Sequence, residues 1–544
     1  ESDGKAIKDG VTIEETGSLE EKTPKVPEKA MLLKMSKEIV KSRSRKSAAR
    51  RTRPTNDRKE PAVFKSPVQE VTEKSGKGDR DNKNLKAGAR KPSVEKLEPT
   101  GSRLPSPSMQ QTTPLSDRDI ASVEDQLNRM TSFHGLICRE DVNMLLKKPG
   151  DWLMRISVLA NEKKPKKDLK TMSSKEAPVT PVIKNQKVIV VSVFPVVKKL
   201  PPGQIPKFRV PIRHLSIRIS KGLAYLDKAK RFKSIQELIT YYSNNVGNDR
   251  GADFQLLNSI SLTNWEFHHE EVELLEKKLG EGAFGEVRVG KMKTKESEKM
   301  LEVAVKTLKN PDKEPVSREQ VSELLHEARV MRLLDHTNVL KSYGVAVLKE
   351  PLYLMSELCN CGALREYLKE NKKTITLEDK LNFVLGSARG VEYLHSQRLI
   401  HRDLAVRNIL LTDDKTPKVS DFGLAKQTER YEMREACKIP VRYLAPETLE
   451  VFIFTAKSDV FSFGCVIWEI YENGLQPHDG KNGQTIRSLN KKREFLKLSP
   501  SAPEELRRVV SERVFVADPE NRCSMTTIVQ CAEKLVKSDG SGSG

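Results

Sequence analysis

Gly280-Glu281-Gly282-Ala283-Phe284-Gly285-Glu286-Val287 sets three glycines in the pattern G-x-G-x-x-G-x-V, and Val303-Ala304-Val305-Lys306 follows it. This pairing constrains the fold more than any other feature. Glycines let backbone amides approach phosphate oxygens closely. In dinucleotide-binding folds the same triplet opens a helix. Here the next element is a β-branched strand. A period of two puts Ala304 and Lys306 on one face. A small residue there leaves room for an adenine ring, and the ammonium falls near the phosphates. Taken alone, V-A-V-K is equally an edge strand with its lysine in water.

A helix comes next. Ser317 and Gln320 form a capping box, and Val316 and Val321 a hydrophobic staple. Val321, Leu324, Leu325, Ala328 and Met331 make its apolar stripe. Glu327 lies beside that stripe, within reach of Lys306 or facing solvent. Further on stand His401-Arg402-Asp403-Leu404-Ala405-Val406-Arg407-Asn408, then Asp421-Phe422-Gly423, then Ala445-Pro446-Glu447.

These five motifs, in this order and spacing, resemble the protein-kinase domain. The resemblance implies a bilobal fold, with a β-rich small lobe to about Met355 and a helical lobe after it. It implies that Gly280, Gly282, Gly285, Val287 and Ala304 enclose ATP. Lys306, oriented by Glu327, would bind its α- and β-phosphates. Asp403 would accept the substrate hydroxyl proton, and Asn408 and Asp421 would hold Mg²⁺. Ser356 falls at the gatekeeper position, implying an open back pocket, with Glu357-Leu358-Cys359 as the hinge. All the polar residues of the pattern are present, which argues against a pseudokinase. Ser458-Asp459-Val460-Phe461-Ser462-Phe463-Gly464 resembles the buried anchor helix, and Arg522 falls where the family pairs an arginine with Glu447.

The resemblance favours tyrosine as acceptor. Serine/threonine kinases usually carry a lysine two residues after the catalytic aspartate, where this chain has Ala405. Tyrosine kinases carry an arginine four residues after it, here Arg407. Lys438–Glu447 is similar to their substrate platform. This chain departs from the pattern at Tyr443 and Phe515, both usually tryptophan, and at Val406, usually alanine. Tyr431 is expected as an activation-segment phosphosite whose phosphate pairs with Arg402.

The earlier block opens with a helix expected over 139–148 and stopped by Pro149-Gly150. Asp151-Trp152-Leu153-Met154-Arg155-Ile156-Ser157 follows as a strand. An arginine inside an apolar strand is costly unless it meets an anion, and its planar fork suits phosphate. By itself this heptapeptide favours an edge arginine in water. With Phe133-His134-Gly135, Arg139, Val188–Phe194, Ile212–Arg218 and Arg231–Tyr242, it resembles an SH2 domain. The resemblance implies phosphotyrosine binding, with Arg155 as the buried phosphate ligand and Arg139 and His214 beside it. Two departures are Ser132, where a tryptophan is usual, and a long lysine-rich loop running from Ser157 to about Gln186.

The expected fold class is α+β. Residues 1–125 form a disordered basic tail. Residues 126–245 form an SH2 domain, a central antiparallel sheet flanked by two helices. A linker at 246–264, a kinase domain at 265–537 and a flexible tail at 538–544 complete the chain. The basic tail is nearly free of aromatics, Phe64 being its one, and shows no sustained apolar period, and nine basic residues fall between Lys41 and Lys59. It is either solvated or in peripheral contact with anionic membrane. The net charge of +21 favours acidic partners, but without interleaved aromatics nucleic acid is not the expected one. Seven cysteines form no disulfide or zinc pattern. They suit reduced thiols in the cytoplasm, where a peripheral position at the inner face of the plasma membrane is also open.

An SH2 domain joined to a kinase through Asn264-Trp265-Glu266-Phe267-His268-His269-Glu270 resembles the Fes/Fer group of non-receptor protein-tyrosine kinases, and the divergent nematode members fit best. ATP and Mg²⁺ are the implied cofactors. Protein tyrosines are the implied substrates, phosphotyrosine proteins the implied SH2 partners, and the chain is expected as a monomer. The competing expectation is a phosphotyrosine adaptor with a weak or inactive kinase.

Overall fold

The computed structural model describes residue 123 and residues 126–161, 184–196, 211–227, 229–282, 285–294, 297–308, 316–433 and 440–540. The expectations for the basic tail, most of the lysine-rich loop, Ala283, Phe284 and the last four residues lie outside the described residues.

The first block opens with α1 (Arg139–Leu145), shorter than expected. Its end has a local cause. The Lys147 and Lys148 amides donate to the Asp151 carboxylate at 2.9 and 2.7 Å instead of continuing the helix. Strand β1 (Asp151–Asn161) pairs antiparallel with β2 (Lys184–Val193), which pairs with β3 (Arg213–Ser216). Hairpin strands β4 (Arg218–Ser220) and β5 (Leu223–Tyr225) come next. Helix α2 (Ile235–Asn244) follows, its N-cap Ser234 hydroxyl accepting the Glu237 amide.

Residues 246–264 are more than a linker. They carry a hairpin, β6 (Gly247–Asp249) with β7 (Ala252–Phe254), and a short strand, β8 (Asn258–Ser259), that joins the main sheet parallel to β1. Phe254 and Leu256 are buried in the same core as β1. Phe254 packs its ring on Tyr242 of α2 with centroids 5.2 Å apart, and the Leu256 amide donates to the Tyr242 carbonyl at 3.0 Å, so this segment packs against the first block.

The second block begins with a five-stranded antiparallel sheet in the order β12-β13-β11-β10-β9. Its strands are β9 (Val272–Gly282), β10 (Gly285–Thr294), β11 (Ser297–Leu308), β12 (Ser342–Ala346) and β13 (Leu352–Glu357). Helix α3 (Arg318–Met331) lies between β11 and β12 in the chain, with the expected capping box at Ser317 and Gln320.

The helical lobe contains α4 (Leu364–Glu370), α5 (Leu377–Ser396), α6 (Pro446–Val451), α7 (Ala456–Tyr471), α8 (Gly483–Lys491), α9 (Glu504–Val509) and α10 (Met525–Gly540). Helix α7 is buried along almost its whole length, as an apolar helix at a lobe centre must be. Among the described residues no helix is long and apolar enough to cross a membrane.

The two blocks meet tightly. Gly135 has φ +62°, and a Cβ there would come within 2.1 Å of the Val347 carbonyl, so only glycine permits the approach. The next amide, Leu136, donates to that carbonyl at 2.9 Å. His134 is fully buried and presents Nδ1 to Glu266 Oε1 at 2.8 Å and Nε2 to the Ile260 carbonyl at 3.0 Å. Arg329 on α3 donates to Asp141 on α1 at 2.8 Å.

Candidate functional site

Gly280 and Gly282 lie at the end of β9, and Gly285 opens β10. Gly285 pairs with Gly282, and Val287 with Gly280. Gly285 has φ +146°, a conformation that side-chain-bearing residues rarely adopt. A Cβ at Gly280 would meet nothing within 4 Å, so the space beside the hairpin is open.

Strand β11 pairs with β10 on the side away from β9. Val303 and Val305 are buried in the sheet's own apolar cluster, while Ala304 and Lys306 are half-buried on the other face. Ala304 lies opposite Val289 on one side and Ser356 on the other. Lys306 Nζ donates to Glu327 Oε2 at 2.7 Å. Burial works against the ammonium. Glu327, and after it Asp421, outweigh that cost and hold the Lys306 pKa above its ordinary value. The same electrostatics tie Asp421 into the cluster, since its charge also bears on Glu327. Glu357 receives Lys418 at 2.7 Å, and the neighbouring Cys359 thiol is pushed up to about 12, chiefly by burial.

The catalytic-type loop is suspended from α7. Asp459, buried in that helix, accepts the His401 amide at 2.7 Å and the Arg402 amide at 3.0 Å. Arg402 has φ +72°, a strained conformation held by these two bonds. The buried His401 ring donates to the Ser420 carbonyl at 3.0 Å. This joins the loop to the segment carrying Asp421, and Phe422 packs its ring on that histidine. Asp403 is held from two directions. Arg407 donates to Oδ1, and Asn408 Nδ2 donates to Oδ2 at 2.9 Å and to the backbone carbonyl at 2.8 Å.

Those bonds spend the nitrogen end of the Asn408 amide and leave its oxygen for another partner. Asp421 is exposed with φ +63°. Two hard oxygen donors with open positions suit a divalent cation that also takes phosphate oxygens. Among the described residues no set of three histidine, cysteine or acidic side chains forms a closed metal cage.

A second polar site lies in the first block. Arg155, on β1, is 3% exposed. Its Nε donates to Ser192 Oγ and its Nη1 to the Ile137 carbonyl, both at 3.3 Å. Neither partner is an anion. Burial, and then the exposed Arg139, push its pKa down to about 10. Ser192 also bonds His214 Nδ1 at 3.0 Å. The imidazole is pushed down to about 4 by burial and by Arg155 and Arg139. Arg155 and His214 are thus joined through Ser192, and the charge of Arg139 bears on both.

The sequence reading overlooked several residues that hold these groups. Ser192 bridges Arg155 and His214, yet a serine in a valine-rich strand gives little signal. Glu469 accepts the Val406 amide at 3.0 Å and the Tyr443 hydroxyl at 2.9 Å. Its signal was available, because a carboxylate inside the apolar run Cys465–Tyr471 must find partners. Asp141 and Arg329 are 188 positions apart, and nothing local couples them. The ion pair of Glu447 with Arg522 falls where the resemblance put it, at 2.7 and 3.0 Å.

Comparison with known proteins agrees with this geometry. Residues 274–532 match the family described as protein tyrosine and serine/threonine kinase. Spermatocyte protein spe-8 of Caenorhabditis elegans is 31% identical over 77% of this chain and 74% of its own length. Fer-related kinase 1 of the same species is 29% identical over 77% of this chain and 96% of its own. Human tyrosine-protein kinase Fer is 31% identical over 75% of this chain but only 44% of its own length. The chain belongs to the protein-kinase family, among the Fer-like protein-tyrosine kinases.

Proposed function

We propose that the chain transfers the γ-phosphate of ATP to tyrosine hydroxyls of protein substrates. The observation that carries this reading is the arrangement around Asp403, held by Arg407 and Asn408, together with the closed Lys306–Glu327 pair. Gly280, Gly282, Gly285, Val287, Ala304, Glu357 and Cys359 enclose the nucleotide, and Lys306 meets its α- and β-phosphates. Asp403 accepts the proton of the tyrosine hydroxyl as the phenolic oxygen bonds to the γ-phosphorus and ADP departs. Asn408 and Asp421 would hold Mg²⁺, which when bound offsets phosphate charge. Positioned groups of this kind stabilise charge without reorganising during the reaction.

The first block acts as an SH2 domain that takes phosphotyrosine at Arg155, with Arg139 and His214 alongside. A buried arginine without an anion supports this reading, because phosphate supplies the missing partner. The alternative, an adaptor with a failing kinase, is disfavoured by the intact polar set. Tyr431 is the activation-segment phosphosite. The protein is a monomer of the cytoplasm, a compartment in keeping with the six free thiols among the described residues, and its basic tail is assigned to peripheral contact with the anionic inner face of the plasma membrane.

The deciding experiment offers ATP and a mixture of Tyr, Ser and Thr peptides to the wild type and to Asp403→Asn. The expected product is phosphotyrosine, formed at least about 100-fold more slowly by the variant. Phosphoserine as the main product, or an unimpaired variant, overturns the reading.

A further inference from the structure

Tyr443 is 3% exposed and ends the short 3-10 turn Val441–Tyr443, at the platform beside the catalytic loop. The two ends of its side chain make different contacts. The ring lies beneath the Arg407 guanidinium, whose central carbon is 5.0 Å from the ring centroid. Arg407 in turn donates to Asp403 Oδ1. The hydroxyl donates to Glu469 Oε1 at 2.9 Å, and Oε2 of the same carboxylate accepts the Val406 amide at 3.0 Å.

Val406 opens the 3-10 turn that carries Arg407 and Asn408, the two residues that hold Asp403. One phenol therefore braces this turn twice, at its side-chain end through Arg407 and at its backbone end through Glu469. The backbone of Tyr443 is itself fixed, its carbonyl accepting the Ser462 hydroxyl at 2.7 Å. The alignment is rigid at each joint, since Glu469 is 1% exposed and sits on the buried helix α7.

The hydroxyl contributes something the ring cannot. A phenylalanine would keep the hydrophobic volume and the cation–π contact. It would leave Glu469 Oε1 buried without a donor, an arrangement costly enough that the carboxyl turns or takes up a proton. Either response weakens its hold on the Val406 amide, and the turn carrying Arg407 and Asn408 loosens. Small displacements of a catalytic group cost rate far more than they cost affinity.

We propose that Tyr443 is a positioning residue for Asp403, acting through Arg407 and, by its hydroxyl, through Glu469. This inference rests on the reading of Asp403 as the base.

The test measures steady-state kinetics of the full chain on a tyrosine peptide, for wild type, Tyr443→Phe, Tyr443→Trp and Asp403→Asn. Melting curves establish that each variant is folded at the assay temperature. Tyr443→Phe is expected to lower kcat about tenfold, the equivalent of one charged hydrogen bond, with the KM values for peptide and ATP within about twofold of wild type. Tyr443→Trp, whose indole N–H can donate to Glu469, is expected to recover most of that kcat. A purely structural role would not return with a donor of different shape. Wild-type kcat in Tyr443→Phe, or a loss expressed in peptide KM alone, overturns the positioning role while leaving the kinase reading intact. An Asp403→Asn variant as active as wild type overturns the kinase reading itself.

Discussion

Arg329 stands two residues after Glu327 on α3 and donates to Asp141 of the first block at 2.8 Å. The helix that orients Lys306 is thereby tied to the block that carries Arg155. Asp141 is 1% exposed and also accepts the Cys138 amide at 3.0 Å. Removing Arg329 strands a buried carboxylate, which costs about 3 kcal/mol. Arg329→Met should therefore lower the melting temperature by several degrees and reduce kinase activity with it. The double variant Arg329→Met/Asp141→Asn should recover much of the lost stability, because no charge is left buried.

Arg155 predicts opposite effects on binding and stability. Among the described residues its buried guanidinium has neutral hydrogen-bond partners. Arg155→Ala should weaken phosphotyrosine-peptide binding about 100-fold, as loss of charge-assisted bonds does. The unliganded protein should melt at the same temperature or higher, because an uncompensated buried cation has been removed. Calorimetric titration and melting curves on the same samples check both. Equal affinities would remove Arg155 from the site.

Glu469 gives a dependence on pH whose sign can be worked out. Burial pushes its carboxyl up to about 7, against the pull of the Val406 amide, the Tyr443 hydroxyl, Arg407 and Arg365. The folded state therefore holds a proton that the unfolded chain releases near its ordinary value of 4.5. Stability from this group is full below that value and is lost as pH rises through about 7. Relative to wild type, Glu469→Gln should gain about 3 kcal/mol on going from pH 4 to pH 8. Melting temperatures of the two proteins across that range measure the difference.

Tyr431 rests against Arg402, whose guanidinium carbon lies 4.3 Å from its ring centroid and 4.5 Å from that of Phe454. The strand Arg430–Glu432 that carries it pairs with Ile453–Thr455. The hydroxyl is not needed for either contact. Tyr431→Phe should preserve the initial rate and abolish the acceleration that follows preincubation with ATP. Tyr431→Ala, which also loses the cation–π contact, should start slower. Progress curves with mass spectrometry of the activation segment distinguish these outcomes.

Ser356 lies opposite Ala304 in the β11–β13 ladder, and both are half-buried. Neither side chain of that pair is bulky. Wild type should use an N6-benzyl adenosine triphosphate, and Ser356→Phe should lose at least about tenfold in kcat/KM for it through steric exclusion. The ratio of the two nucleotides' kcat/KM values measures the effect.

Much of this molecule was legible in one dimension. The glycine triplet, the alternation that sets Ala304 and Lys306 apart from Val303 and Val305, and the cap at Ser317 are local, and local chemistry decides them. The charged residues of the catalytic-type loop were legible for another reason: polar groups of fixed type at fixed spacing have few alternative uses. Segment 246–264 was misread because its short strands and scattered apolar residues show no period, and only the sheet edge they join gives them a place.

The sequence by itself determined which residues carry charge, which face of β11 holds Ala304 and Lys306, and where α3 begins. It did not determine which buried charge meets which. His134 with Glu266, Arg329 with Asp141, and Tyr443 with Glu469 pair across 132, 188 and 26 positions. Only packing brings such partners within 3 Å, because a desolvated polar group accepts whichever complement the folded chain delivers to it.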